Sequence, residues 1–202
     1  MPLALSKPLA LACFTLLFAA GCHHVLPVDT QPLDNAGMSF DSIEQLKKLN
    51  ITTLEVTQIA QARQAGLSDS GCVAIMRIFH DRGQPFDAGE TLSGLLQASM
   101  SEPTVIELAK LNQLGVEAGE LQAMHLAGLS DDIVREVAAH HANGKPVLSG
   151  ATLAGLKNTG LRSETLLELV RRSVPDSQAD AIFSARRHGA TDADILRRFA
   201  SS

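Results

Sequence analysis

The string AGLSD stands at residues 65–69 and returns unchanged at 127–131. After a one-residue adjustment the match continues. Gly83, Pro85, Gly89, Thr91, Leu92, Gly94 and Leu95 recur 61 positions later as Gly144, Pro146, Gly150, Thr152, Leu153, Gly155 and Leu156, and Thr104, Glu107 and Leu108 as Thr165, Glu168 and Leu169. So many identities at one offset mark a duplication. Each half divides again. Turn residues Gly66, Ser99, Gly128, Gly160 and Gly189 are spaced by 33, 29, 32 and 29 residues. Seven residues before each stands Ile59, Leu92, Leu121, Leu153 or Ile182; six after stands Cys72, Val105, Val134, Leu166 or Ile195. Near-equal units of about 30 residues signal a helical repeat array, whose hairpins bury their apolar faces only by stacking on neighbours.

One unit can be read residue by residue. A first helix ends at the turn residue, where glycine tolerates the left-handed conformation. One apolar residue buries itself in the turn. Ser68, Ser101, Ser130 or Thr191 is then expected to cap the second helix through its side chain. Asp69, Glu102, Asp131 or Asp192 follows and favours the positive helix start. The fourth unit shifts by one, with Arg162 in the cap slot before Ser163 and Glu164. Ahead of the array, Asp41 to Leu49 reads as a short covering helix, with Asp41 and Glu44 spaced as a capping box. The predicted fold is all-α: tandem helix-turn-helix hairpins, about five units, forming a short solenoid-like or globular helical array. Its halves span about 53–115 and 116–175, with a terminal half-unit at 176–202.

Composition supports helices. Hydrophobic residues make up 45% of the 202, yet there is no Trp, no Tyr and only 7 Phe. A core of Ala, Leu, Val and Ile suits close helix packing. The net charge of −5 and the missing stacking side chains argue against a nucleic-acid partner. Charge is uneven. Residues 22–156 carry 8 basic and 16 acidic side chains, whereas 157–202 carry 8 and 6. Three pairs, Arg171-Arg172, Arg186-Arg187 and Arg197-Arg198, allow two readings: cations completing helix C-termini, or a docking face for anionic headgroups or an acidic envelope protein.

The N-terminal segment has its own logic. Leu9 to Ala20 is an apolar run of 12 residues, too short to span a bilayer, which takes about 20. It closes on Leu16-Leu17-Phe18-Ala19-Ala20-Gly21-Cys22. This stretch resembles the lipobox of bacterial lipoproteins, which implies cleavage between Gly21 and Cys22 and acylation of the Cys22 thiol. The resemblance divides the chain into a signal peptide (1–21), a flexible tether (22–38) and a repeat domain (39–202). It also implies a place in the cell envelope. With His23 rather than Asp after Cys22, the family pattern implies the periplasmic face of the outer membrane. The A-G-L-S-D units likewise resemble short helical repeats of bacterial lipoproteins and secreted proteins, covering about residues 51–200. Helix-hairpin-helix nucleic-acid motifs are less similar, since their turn presents two glycines.

Chemistry-bearing motifs are sparse. The chain contains no G-x-S-x-G, H-E-x-x-H, C-x-x-C or phosphate-loop sequence. Ile133, Val134, Val137, Ala138 and His141 share one predicted helix face, and Asp132, Glu136 and His140 the opposite one. That trio has two readings, a solvated face or a divalent-metal site in a periplasmic hydrolase. The expectation from sequence is a non-enzymatic binding or scaffold module, with no cofactor, no metal and no catalytic residue.

Overall fold

A computed structural model of the chain describes residues 28–115 and 117–199, all of them helix, turn or loop with no strand. Twelve α-helices are seen: α1 Gln31–Asn35, α2 Phe40–Lys48, α3 Thr53–Gln64, α4 Asp69–Asp81, α5 Gly89–Gln97, α6 Glu102–Lys110, α7 Ala118–Leu126, α8 Asp131–Ala142, α9 Gly150–Asn158, α10 Ser163–Arg171, α11 Ala179–Arg187 and α12 Asp192–Phe199. A 3-10 turn, Asp176–Gln178, precedes α11.

Every helix before the last stops in the same way. Two residues past its end comes a residue with positive φ, from 55° at Ser173 to 110° at Gly66. In all of these but α2 the amide after it reaches back to close the last turn, as Leu67 N–H does to the Ala62 carbonyl (3.1 Å) and Leu129 N–H to that of Met124 (3.1 Å). This Schellman closure satisfies carbonyls that the helix itself cannot. All five turn residues marked in the sequence adopt it, Ser99 included at 71°.

The hairpins stack in two layers. Odd helices pack in order, α1 on α3, α3 on α5, α5 on α7 and α7 on α9; even helices do the same from α2 to α12. All substantial helix packing joins elements one or two places apart in the chain. That is a solenoid rather than a closed bundle. The periodic positions form its core: Ile59, Leu92, Leu121, Leu153 and Ile182 on first helices and Cys72, Val105, Val134, Leu166 and Ile195 on second helices are all fully buried.

Close stacking explains two of the repeated glycines. A Cβ on Gly89 would collide with the Gln58 carbonyl oxygen of α3, and one on Gly150 would lie 2.5 Å from Met124 Cγ of α7. Backbone blocks any side chain where α5 starts against α3, and at the start of α9 an added Cβ would have to displace the Met124 side chain of α7.

Four local expectations are corrected. Part of the stretch expected as a flexible tether, 22–38, is folded: α1 lies within it and its Leu33 is fully buried, while residues 22–27 lie outside the described residues. Pro32 is accommodated in the first turn of α1, where its missing N–H costs nothing. With α2, it forms a sixth hairpin. The Asp41–Glu44 capping box does not form: Ser39 is the N-cap of α2, and Glu44 pairs with Lys47 (2.8 Å). Residues 176–202 hold a whole hairpin, α11 with α12, rather than half of one. Finally, Ser68 and Thr191 cap by side chain, accepting from Gly71 N–H (3.0 Å) and Asp194 N–H (3.2 Å), but Ser101 and Ser130 do not.

Candidate functional site

The acids at the second-helix starts do more than face their own dipole. Each reaches back one hairpin and accepts the N-cap amide of the preceding even helix. Asp69 takes the N–H of Ser39 (2.8 Å), Glu102 that of Ser68 (2.8 Å), Asp131 that of Ser101 (3.1 Å) and Asp192 that of Arg162 (3.1 Å). Hydroxyls join them: Thr104 donates to Asp131 (3.0 Å) and Thr165 to Asp192 (2.6 Å). The amides left orphaned at one helix start are thus satisfied by the next unit.

A cation six residues earlier completes a second prong. Arg63 holds Asp69 at 2.8 Å and donates to the Gly37 carbonyl of the preceding hairpin (3.3 Å). Arg186 faces Asp192 at 3.6 Å and donates to the carbonyls of Thr159 (3.2 Å) and Gly160 (2.9 Å). Lys157 Nζ donates to the Gly128 carbonyl, and His125 Nδ1 faces Asp131 Oδ1 at 3.1 Å. A carboxylate therefore grips the positive start of one neighbouring helix while a cation grips the negative end of another. The opposite edge has its own ties: Gln58 to Gly89 N–H (2.7 Å), Glu120 to Gly150 N–H (2.7 Å) and Asp176 to Ser149 N–H (2.8 Å). The roughly 30-residue spacing of acids and cations was the available signal; read within one unit, it shows only dipole complementarity.

These carboxylates have shifted acidities. Hydrogen bonding to Ser39 lowers the pKa of Asp69, and hydrogen bonding to Thr152 and Ser149 lowers that of Asp176. Burial pushes Asp131 and Asp192 up, but bonds to Ser101 and Thr104, and to Thr165 and Arg162, outweigh it and leave both lowered. A depressed carboxylate stabilises the fold above its unfolded pKa, about 3.9 for Asp, and that contribution is lost as pH falls through the folded value. The array should therefore hold a level urea midpoint above about pH 5 and lose stability progressively below about pH 4. A midpoint that rises on acidification to pH 3 would contradict the seam assignment.

The proposed metal trio is not assembled. Asp132 is exposed and pairs with Arg135. Glu136 faces Arg171 at 3.7 Å. His140 is buried at 5% exposure, and it rather than His141 belongs to the buried face of α8. The reason is a partner on another hairpin. His140 Nδ1 donates to the Glu136 carbonyl (2.9 Å), which leaves Nε2 to accept from Ser173 Oγ (3.1 Å). No three His, Cys, Asp or Glu among the described residues are placed to share a metal.

The Ser173–His140 contact has the polarity of a nucleophile and base, and sequence alone did not reveal it. It lies past the end of α10 and in the last turn of α8, where helix carbonyls disfavour a developing oxyanion. Its geometry makes it a tie between α8 and α10, at the seam where Ser163 stands in place of the gripping acid. Cys72 is a core residue: burial pushes its thiol up to about 12, so a reactive thiolate is suppressed.

The six arginines do not form one surface. Arg186 is spent inside a seam. Arg187 is exposed at the α11 end that turns into α12, whereas Arg171, Arg172, Arg197 and Arg198 lie at the distal ends of α10 and α12. There Arg171 faces Glu136, Arg172 binds Glu168 (2.6 Å), Arg197 binds Asp194 (2.6 Å) and Arg198 lies 5.1 Å over the Phe199 ring. Among the described residues, the large apolar side chains left on the surface are Phe40, Leu54 and Leu126. Open clefts run between stacked helices. One of about 530 Å³ lies between α2 and α4, lined by Ser42, Gln45, Asp69, Val73 and Arg77; one of about 480 Å³ lies between α3 and α5, lined by Gln58, Gln61, Gln64, Glu90 and Gln97.

Fold and site together define an α-helical hairpin-repeat array with polar inter-unit clamps. No protein-family model, curated protein or solved structure matches the chain.

Proposed function

We propose that this chain is a lipid-anchored cell-envelope protein whose hairpin array serves as a non-enzymatic binding or scaffold module. The observation that carries the reading is the solenoid itself: stacking between nearest hairpins leaves two long outer faces and open clefts between helices. Repeat arrays use such extended faces for partners. Cys22 and Gly21, which lie outside the described residues, supply the anchor through their likeness to a lipobox. No helix among the described residues is long and apolar enough to cross a membrane. On this reading acylated Cys22 holds the protein to a bilayer, where two or more chains give durable attachment. His23 favours the periplasmic face of the outer membrane. Basic residues at the distal ends of α10 and α12 offer a contact for an acidic envelope protein.

The test is fractionation with intact-mass measurement. The wild type should sit in the membrane fraction, cut before Cys22 and heavier by its acyl groups. Cys22→Ser should move to the soluble fraction with its circular-dichroism melt unchanged. A mature wild type that is soluble and unmodified would overturn the reading.

A further inference from the structure

Phe40 is 72% exposed, and its place in the repeat explains why. It stands three residues after the turn residue Gly37, the slot filled in later hairpins by Asp69, Glu102, Asp131 and Asp192. In those hairpins the slot points at the preceding unit and grips its N-cap amide. In the first hairpin a phenyl ring stands where a carboxylate would be, on the end of the stack with no earlier hairpin described. The companion cation slot, three residues before the turn, is reversed as well: Asp34 stands where Arg63, Lys157 and Arg186 stand later. The first hairpin has the clamp position without the clamp chemistry.

The length of chain ahead of this end identifies what lies against it. The described chain starts at Val28, half-buried against the core, and five residues separate it from Cys22. Six residue steps at about 3.3 Å reach no further than roughly 20 Å. A lipid on Cys22 therefore holds the α1–α2 end, and not the distal hairpins, at the bilayer. We infer that this end face, through Phe40, docks on the zwitterionic lipid surface to which Cys22 is attached, so that the array stands out from the membrane. The inference rests on the proposed anchor. Exposed Asp34 and Asp41 of the same hairpin repel anionic headgroups, which is why the surface is a zwitterionic one.

A chain without Trp or Tyr makes the test clean, because any introduced Trp is the only strong fluorophore. Phe40→Trp and Leu126→Trp are produced as the full acylated chain and mixed with phosphatidylcholine vesicles carrying bromine on the acyl chains. Leu126, 67% exposed, lies three hairpins further along, some 25–30 Å away at about 8–10 Å per packed helix. Both variants should float with the vesicles. Emission of Phe40→Trp should shift to the blue and lose a large share of its intensity to bromine, and that of Leu126→Trp should not change. Flotation without quenching of Phe40→Trp overturns the docking and leaves the anchor intact. Quenching of both variants overturns the upright arrangement. Chains that are unacylated and fail to float refute the anchor and the docking together.

Discussion

Leu153→Asp destabilises the array by about 4–5 kcal/mol, the expected result of placing an unpaired carboxylate at a sealed core position. Leu153 is fully buried in α9, seven residues before the turn at Gly160, and is equivalent to Ile59, Leu92, Leu121 and Ile182. Its neighbours are apolar side chains of adjacent hairpins, which cannot solvate a charge. Because each hairpin packs only on its neighbours, the damage spreads by loss of interfaces. Hydrogen exchange should show protection lost across α9 to α12 first and kept longest in α3 and α4. The circular-dichroism midpoint should fall sharply and the transition broaden. A melt superposable on the wild type would mean that the core is elsewhere.

Glu55→Ala has the next largest effect, about 3 kcal/mol, because it strands several polar groups at once. Glu55 is 3% exposed, yet its carboxylate accepts from Thr52 N–H (2.8 Å), Thr52 Oγ1 (2.9 Å), Phe86 N–H (3.0 Å) and His80 Nε2 (3.1 Å). Burial pushes the Glu55 pKa up, but the amides of Phe86 and Thr52 outweigh it, so the carboxylate stays charged. This one side chain closes the capping box of α3 and pins the loop after α4, where Phe86 meets Phe79 edge to face at 5.1 Å. Removing it opens the capping box, although Thr52 Oγ1 can still accept from the residue 55 N–H (3.3 Å), and leaves the Thr52 and Phe86 amides unsatisfied, the latter beside a fully buried ring. Glu55→Gln keeps one acceptor oxygen and should recover part of the loss. Equal urea midpoints for wild type and Glu55→Ala would show that water already serves these groups.

Much of the architecture was legible because its information is local and repeated. Apolar residues seven before and six after each turn residue recur on a helical period, and all ten are buried. The Asp41–Leu49 helix was legible and is α2, but its partner α1 escaped notice because it is five residues long and includes Pro32, in a stretch that looks like linker by composition. His140 and His141 are neighbours on one helix edge, and period alone cannot choose between them. Ser173, 33 residues away, makes the choice. The same limit applied to the arginines: three pairs look alike in sequence, but the carbonyls of Thr159 and Gly160 draw Arg186 alone into a seam.

By itself the sequence determined that the repeats are helical, where the first helix of each of five repeats stops and which periodic apolar side chains form the core. Those properties follow from backbone geometry and apolar periodicity within about thirty residues. Tertiary structure alone decided that the acid of each turn serves the previous hairpin, that an imidazole closes one seam and that a phenyl ring is left on the end of the stack. Each depends on which orphaned amide or carbonyl comes within hydrogen-bonding reach after stacking, a distance that linear order does not encode.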